Sequence, residues 1–146
     1  MPPSYTLYTP EASFRAFATL IAAEYTGVSI EVSTDASAAS KSPVGKLPVL
    51  ECQDGAGDDS NNNSTVIIFS SHAAARYVAG LRRDCGLMGR SASESAEIDA
   101  WMDWCATDVE LPACVWFYPV AGYMPFHQAR CVRACAFVGL GTSVCL

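Results

Sequence analysis

The sequence has little positive charge, and this shortage excludes one large class of function. Nine Lys and Arg residues stand against fifteen Asp and Glu residues, which gives a formal net charge of −6 at pH 7 and a pI of about 4.7. A protein that binds the nucleic-acid backbone independently of sequence needs a positively charged surface. We therefore expect no direct contact with DNA or RNA.

The sequence also lacks long apolar runs and a recognisable targeting segment. No run reaches the ~18 residues that a bilayer-spanning helix needs. The first residues, Met1–Tyr5, have neither the basic nor the apolar segment of a secretory signal. These absences predict a cytoplasmic protein that does not enter a membrane.

Cysteine is plentiful, but the spacings that would give it a function are missing. The seven cysteines include no C-x-x-C pair near the first predicted strand, so a thioredoxin-type dithiol mechanism is not expected. An odd count without a secretory signal favours reduced thiols. His127, Cys131 and Cys135 share a helical face, but eight helical residues rise about 12 Å, too far for bonds of about 2.0–2.3 Å to one zinc ion. We interpret the thiols as inert or core residues and predict no metal.

The apolar content, 51% of the residues, is sufficient for a folded core, and the first forty residues predict a β–α–β unit. Residues 5–8 alternate and are rich in aromatic and β-branched types, which indicates a first strand. Helical spacing follows over 12–25 and ends at Gly27, a typical C-terminal cap. Residues 28–32 alternate as a second strand. The predicted buried face of the helix comprises Phe14, Phe17, Leu20, Ile21 and Tyr25.

A β–β–α unit follows the first unit. Residues 48–52 and 66–69 predict two more strands, and the polar stretch 54–65 between them is an enlarged hairpin loop. Ser70 and Ser71 then precede a helix, where a serine N-cap is favoured. The order β–α–β then β–β–α predicts an α/β fold with a mixed four-strand sheet, the thioredoxin-like plan.

The chain is expected to contain two domains. The thioredoxin-like domain covers 1–82, a linker covers 83–90, and residues 91–146 form a helical domain. The apolar pattern of this last part predicts only a few helices, so we expect an incomplete all-helical domain.

The helical domain is predicted to begin with one long helix. Ser91 with Glu94 three residues later resembles a capping box. Pro112 is expected to kink or end this helix, because proline removes an internal hydrogen bond. The predicted apolar face comprises Ile98, Trp101, Met102, Cys105 and Val109.

The Leu47–Pro48 pair is the centre of the predicted site. Proline cannot donate a ladder hydrogen bond, so Pro48 belongs at a strand start or an edge. Only a small minority of X–Pro bonds are cis, which alone favours trans. A cis bond would leave the Leu47 backbone free to pair with an extended, peptide-like ligand. We predict cis because of the β–α–β and β–β–α order on either side, with Ser71 downstream.

The order of these motifs resembles the gamma subunits of eukaryotic translation elongation factor 1. Five separated segments carry the resemblance: Thr6–Gly27, Pro43–Pro48, Phe69–Ala79, Ile98–Trp104 and Tyr123–Phe126. The second and third look like the signature segments of the glutathione-transferase-like region in that family. The resemblance spans roughly residues 5–130, and it implies a thioredoxin-like domain followed by part of the helical glutathione-transferase domain.

The resemblance also implies a glutathione site. Leu47 would pair its backbone with the cysteinyl part of glutathione, with Pro48 as the cis-proline and Lys46 beside it. Ser71 would hold the γ-glutamyl end at a helix N-terminus. The preceding position is Ser70, where glutathione transferases have an acidic or amide residue, and this weakens one contact to the ligand amine.

A transferase further needs a group that stabilises the glutathione thiolate. A free thiol with a pKa of about 8.5 is only slightly ionised at neutral pH, so a hydroxyl donor or a positive field is required. The available hydroxyls near the end of the first strand belong to Tyr8, Thr9 and Ser13. We take Ser13 and Tyr8 as the catalytic candidates without choosing between them. Arg15 and Lys46 are two further sources of positive field.

Two functions from different classes follow from the resemblance. The first is a scaffold in protein synthesis that docks the nucleotide-exchange subunit among the other elongation factor 1 subunits, with a homodimer as a further option. The alternative is an enzyme that conjugates glutathione, or a related thiol, to small electrophiles. Because Ser70 is not acidic and no hydroxyl stands out, we expect weak glutathione binding and low conjugation activity. A third interpretation is a shortened product that folds poorly.

Overall fold

Four strands form one mixed sheet within the residues that the computed structural model describes, which are 4–11, 13–53, 65–122 and 125. The strands are β1 (Ser4–Tyr8), β2 (Glu31–Ser33), β3 (Val49–Gln53) and β4 (Thr65–Phe69). Their order across the sheet is β2–β1–β3–β4. β1 pairs parallel with β2, whereas the β1–β3 and β3–β4 pairs are antiparallel.

Two helices pack on one face of this sheet. Helix α1 (Phe17–Thr26) follows a single 3-10 turn, Phe14–Ala16, and helix α2 (Ser71–Leu81) follows β4 directly. Side chains alternate along a strand, so Leu7 of β1 and Leu50 of β3, which are register partners, point to the same side. The core between this sheet face and the helices comprises Tyr5, Leu7, Ala16, Ala22, Ala23, Leu50, Cys52, Ala74, Val78 and Ala79.

The opposite face of the sheet carries the alternate residues of β1 and β3. Tyr8 and Glu51 lie there, and the short 3-10 helix Ala36–Lys41 contacts both strands. Asp35 begins this 3-10 helix, since its carboxylate accepts a hydrogen bond from the Ser37 backbone N–H at 2.9 Å. The two sheet faces therefore have different neighbours, and this separates the candidate side chains described below.

The predicted β–α–β then β–β–α order is confirmed, with small shifts at element ends. The second strand was expected over 28–32, but β2 begins only at Glu31, while Val28 and Ile30 pack against the core as the chain leaves α1. Gly27 does end α1, with a φ of 67° in the left-handed region that glycine tolerates.

The predicted inward face of α1 is wrong for most of its members, although Leu20 does pack partly buried against the core. Phe17, Ile21 and Tyr25 are 55%, 57% and 68% exposed, respectively, although their helical spacing favoured burial. The helix instead turns its small residues inward; these are Thr19, Ala22, Ala23 and Thr26. Small side chains let two helices approach closely, and α1 packs directly against α2.

The chain divides into two compact units, Met1–Arg90 and Ser91–Leu146. The predicted linker, 83–90, begins with a 3-10 turn at Arg83–Cys85. Two of its later residues, Leu87 and Met88, pack partly buried against the core of the first unit.

The second unit contains α3 (Ala92–Trp104), a π-helical segment (Cys105–Glu110) and α4 (Leu111–Val120). Ser91 caps α3 as predicted, because its hydroxyl accepts a hydrogen bond from the Glu94 backbone N–H at 3.2 Å.

Pro112 lies in the first turn of α4, after the change of helix type. Glu110, the residue before α4, has right-handed helical angles, so the backbone stays helical through this change. The predicted kink or end at Pro112 is therefore replaced by a π-helical segment that directly precedes the helix carrying the proline.

The predicted apolar face of the long helix is only partly correct. Trp101 and Val109 are 68% and 40% exposed, whereas Ile98 and Met102 are half-buried. Trp101 also contacts Trp104 edge to face, with ring centroids 5.6 Å apart. None of the helices in the described ranges has the length and hydropathy of a bilayer-spanning segment.

Candidate functional site

Three strand ends meet at one end of the sheet. Tyr8 pairs with Val49, and Val49 pairs with Phe69, so these residues form one row across β1, β3 and β4. Adjacent strands lie about 4.8 Å apart, so the outer two members of the row are only about 10 Å apart. The chain positions just beyond the row, where each strand begins or ends, are Thr9, Pro48 and Ser70.

The Leu47–Pro48 bond is cis, as predicted. Leu47 precedes Val49, the first paired residue of β3, so its backbone lies outside the sheet ladder. Pro48 is buried and Lys46 is exposed. The predicted ligand-pairing residue therefore lies just beyond the row formed by Tyr8, Val49 and Phe69.

The loop that leads to Leu47 is folded around Ser42, which is 5% exposed. The Ser42 backbone N–H donates to the carbonyl of Ala39 at 3.1 Å, and its carbonyl accepts from the N–H of Gly45 at 3.0 Å. The Ser42 hydroxyl accepts from the N–H of Val44 at 3.3 Å. Gly45 has a φ of 63°, which other residues rarely adopt. These bonds give the loop a defined path to Leu47.

Ser70 and Ser71 lie at the start of α2, where the sequence placed them. Ser70 is the N-cap residue and Ser71 is the first helical residue. Ser70 has a φ of 77°, and its hydroxyl makes no capping hydrogen bond. The Ser70 side chain therefore does not cap the N-terminus of α2, and a helix N-terminus favours an anionic ligand group.

The first turns of α1 and α2 lie side by side at this end of the sheet. The Thr19 hydroxyl of α1 donates to the carbonyl of Ser71 at 3.4 Å, and Thr19 is fully buried. We call the assembled group, Thr9, Leu47, Pro48, Ser70 and Ser71, the strand-end site. It combines backbone groups outside the ladder with a helix N-terminus, and these two features suit an extended ligand that carries a carboxylate.

Tyr8 is directed away from the face that carries α1 and α2. Its hydroxyl accepts a hydrogen bond from the Lys41 ammonium at 3.4 Å, and that ammonium lies 4.6 Å from the centroid of the Tyr8 ring. Lys41 also forms an ion pair with Glu51. The Tyr8 hydroxyl is therefore already engaged in a cluster on the opposite sheet face.

The Lys41–Glu51 pair changes the pKa of both groups. The hydrogen bond from Lys41 lowers the pKa of the Glu51 carboxyl below its usual value, and partial burial opposes this shift. The same bond raises the pKa of the Lys41 ammonium. Both groups are consequently charged at neutral pH.

The other two hydroxyl candidates lie on the segment between β1 and α1. Thr9 is buried, and its hydroxyl donates to the carbonyl of Pro10 at 3.4 Å. Ser13 is partly exposed, precedes the 3-10 turn Phe14–Ala16 and makes no side-chain capping bond. The structure thus separates the two catalytic candidates: Tyr8 belongs to the Lys41 cluster, whereas Ser13 has a hydroxyl that its helix start does not use.

Sequence reasoning missed Lys41, Glu51 and Thr19. Lys41 and Glu51 flank the predicted site but lie on different elements, so no periodic pattern within one helix or strand links them. Thr19 was hidden within a helix whose large residues were expected to face inward.

No group of three or more metal-ligating side chains occurs in the described ranges. Within those ranges, four cysteines form no disulfide: Cys52, Cys85, Cys105 and Cys114. His127, Cys131 and Cys135 lie outside the described residues.

Comparison with known proteins gives relatives and a shared fold. No protein-family model matches the chain. Elongation factor 1-gamma 3 of Oryza sativa subsp. japonica is 36% identical over 129 residues, which cover 82% of this chain and 28% of that protein. Elongation factor 1-gamma of Artemia salina is 36% identical over 137 residues, covering 88% and 29%. The chain thus spans less than a third of the length of these curated relatives.

Among solved structures, a theta-class glutathione S-transferase from Xanthomonas axonopodis pv. citri, with glutathione bound, superposes with a TM-score of 0.70. The match covers 94% of this chain and 66% of that one at 24% identity, so it shows the fold alone. The resemblance inferred from the sequence is confirmed: the chain is a homologue of the elongation factor 1-gamma proteins, and its fold is that of a glutathione transferase.

Proposed function

We propose that the chain is a glutathione-transferase-like module of elongation factor 1-gamma type that acts as an assembly scaffold in protein synthesis. The observation that carries this proposal is the similarity to elongation factor 1-gamma proteins over 82% of the chain. Within such a complex the module docks the nucleotide-exchange subunit, and it works in the cytoplasm. A homodimer of the module is compatible with the same role.

The test is affinity purification from eukaryotic cytosol, with the 146-residue chain as bait and mass spectrometry as the readout. An unrelated glutathione transferase of similar fold is the matched control bait, because it presents the same fold without the elongation-factor sequence. We expect elongation factor 1 subunits, above all the nucleotide-exchange subunit, on the chain and not on the control. Equal recovery on both baits, or recovery on neither, would contradict the scaffold.

A second function, binding of glutathione or a related thiol, is supported by the strand-end site. The Leu47 backbone lies outside the ladder, and the start of α2 offers first-turn N–H groups that the Ser70 hydroxyl does not cap. A γ-glutamyl carboxylate suits that helix N-terminus, and the cysteinyl backbone suits Leu47. We therefore propose glutathione as a ligand, held by Lys46, Leu47, Pro48, Ser70 and Ser71.

Conjugation activity is proposed to be low. The Tyr8 hydroxyl is hydrogen-bonded with Lys41 and Glu51 on the sheet face opposite α1 and α2, so it is not available to a thiolate. Ser13 is the better candidate, because its hydroxyl makes no capping bond at the 3-10 turn. Ser70 offers no carboxylate or amide to the ligand amine.

Ser13→Ala tests this assignment. We expect the variant to keep glutathione binding and to lose most of the residual conjugation of a chlorinated aromatic substrate, measured by absorbance. Tyr8→Phe is the matched control, since it removes the other candidate hydroxyl, and it should keep that activity when glutathione is saturating. The reverse pattern would transfer the catalytic role to Tyr8, and rapid turnover by the unmodified chain would contradict low activity.

A further inference from the structure

Lys41 joins three elements on the sheet face opposite α1 and α2. It is the last residue of the 3-10 helix Ala36–Lys41, and its ammonium reaches Glu51 on β3 and the Tyr8 hydroxyl on β1. The Lys41 and Glu51 side chains are only 38% and 15% exposed. A partly covered pair with an aromatic ring under the cation is held more firmly than an exposed surface pair.

The two partners of this ion pair flank the loop that carries Leu47. Lys41 immediately precedes Ser42, where the loop begins, and Glu51 follows Pro48 by three residues. The pair therefore closes the loop at its base. Within the loop, the backbone bond from Gly45 N–H to the Ser42 carbonyl, at 3.0 Å, fixes the turn.

From this geometry we infer that Lys41 is a positioning residue for the strand-end site: its bonds to Glu51 and Tyr8 hold the 42–48 loop so that the Leu47 backbone is ready to pair with a peptide-like thiol. Lys41 lies on the other face of the sheet, so it acts through the loop and does not touch the ligand. This inference rests on the proposed binding of glutathione.

The physical reason is preorganisation. Without the ion pair the loop samples more conformations, and ligand binding must then order it at a cost in affinity. Ordering costs of this kind correspond to a roughly three- to tenfold increase in Kd. A loss of this size is measurable by calorimetry even for a weak ligand.

The experiment is isothermal titration of reduced glutathione into the full 146-residue chain and its variants. Lys41→Met keeps the aliphatic stem and removes the charge, and Glu51→Gln removes the partner charge. We expect both to bind roughly three- to tenfold more weakly than the unmodified chain. Lys41→Arg keeps a cation and should restore binding to within about twofold.

Arg83→Met is the matched control, because it removes an exposed cation from the 3-10 turn Arg83–Cys85 and should leave Kd unchanged. Backbone amide NMR spectra distinguish positioning from general destabilisation. In Lys41→Met we expect changed signals for Lys46 and Leu47, with the signals of α2 unchanged from Ala74 onward.

The outcomes separate this inference from the proposed ligand. If the unmodified chain binds glutathione and Lys41→Met binds it equally well, the positioning role is overturned while the ligand stands. Equal weakening in Lys41→Arg and Lys41→Met also overturns the role. If the unmodified chain binds no glutathione, the proposed ligand fails, and the inference fails with it.

Discussion

Helices α1 and α2 pack on the same face of the sheet and both turn mainly small residues inward, but α2 also fully buries a larger aliphatic side chain. In α2, Val78 is fully buried. In α1 the large residues Phe17, Ile21 and Tyr25 are more than half exposed. The inward positions of α1 are occupied by alanine and threonine.

The difference shows what apolar spacing can and cannot decide. Spacing identifies a face of the helix, but the face that turns inward also depends on the room available beside the neighbouring helix. In α1 a stripe of small residues runs opposite the large one, and close packing against α2 selects the small stripe. The buried Thr26 is compatible with this choice because its hydroxyl donates to the carbonyl of Ala22 at 2.9 Å, within its own helix.

The largest expected effect on the free energy of unfolding comes from truncating one apolar residue in each helix and comparing the two losses. Val78→Ala removes a fully buried side chain and should lower the free energy of unfolding by about 1.5–3 kcal/mol. Ile21→Ala removes more atoms, but from a side chain that is 57% exposed, so we expect a loss of only about 0.5 kcal/mol. Urea unfolding followed by circular dichroism measures both. A loss for Ile21→Ala as large as that for Val78→Ala would mean that α1 buries its large face.

The next prediction compares the loss of stability when a large side chain is added to each of the two faces of α1. Ala23→Leu places a large side chain at a position that is 6% exposed and should destabilise the protein by about 1–3 kcal/mol through overpacking. Ala18→Leu makes the same change at an exposed position of the same helix, and we expect a change of about 0.5 kcal/mol or less. If both variants unfold at the same urea concentration, the small-residue face is not the packed one.

The fold could largely be predicted because local signals agreed with the tertiary structure. Strand alternation and Gly27 placed the elements of the first unit, and Ser91 placed the start of α3 in the second. The predicted start of the second strand was too early. Val28 and Ile30 are apolar because they pack against the core, and the strand pairing begins only after them. The inward face of α1 was missed because it depends on contact with α2, which is 45 residues or more along the chain.

The strand-end site also has features that could be predicted from the sequence and features that could not. The cis Leu47–Pro48 bond and the serines before α2 were accessible, because proline at a strand start and serine before a helix carry local meaning. The hydrogen bond from Lys41 to the Tyr8 hydroxyl could not be predicted from the sequence. Such a prediction requires knowing that β1 and β3 are neighbours and on which face of the sheet each side chain lies. The different surroundings of Ser13 and Tyr8 therefore could not be predicted from the sequence.

The smallest expected effect concerns the far ends of the same two helices. The Arg82 guanidinium, just after α2, donates to the carbonyl of Thr26 at the end of α1 at 3.0 Å and pairs with Asp84 at 2.7 Å. Arg82→Met should lower the urea midpoint less than Val78→Ala or Ala23→Leu, because Arg82 is half-exposed and its pair with Asp84 is screened by water. A loss of stability as large as that of Val78→Ala would mean that the hydrogen bond from Arg82 to Thr26 is a principal interaction between α1 and α2.

Asp84→Asn separates the two bonds of Arg82, because it removes the ion pair and keeps the donation to Thr26. It should therefore lower the midpoint less than Arg82→Met. The hydrogen bonds from Arg82 lower the pKa of the Asp84 carboxyl. A carboxyl with a lowered pKa contributes stability above its unfolded-state pKa and loses it as the pH falls through the folded-state value. The difference between Asp84→Asn and the unmodified chain should accordingly be present at neutral pH and disappear in acid. A difference that persists at a pH below both values would assign the effect to packing and not to charge.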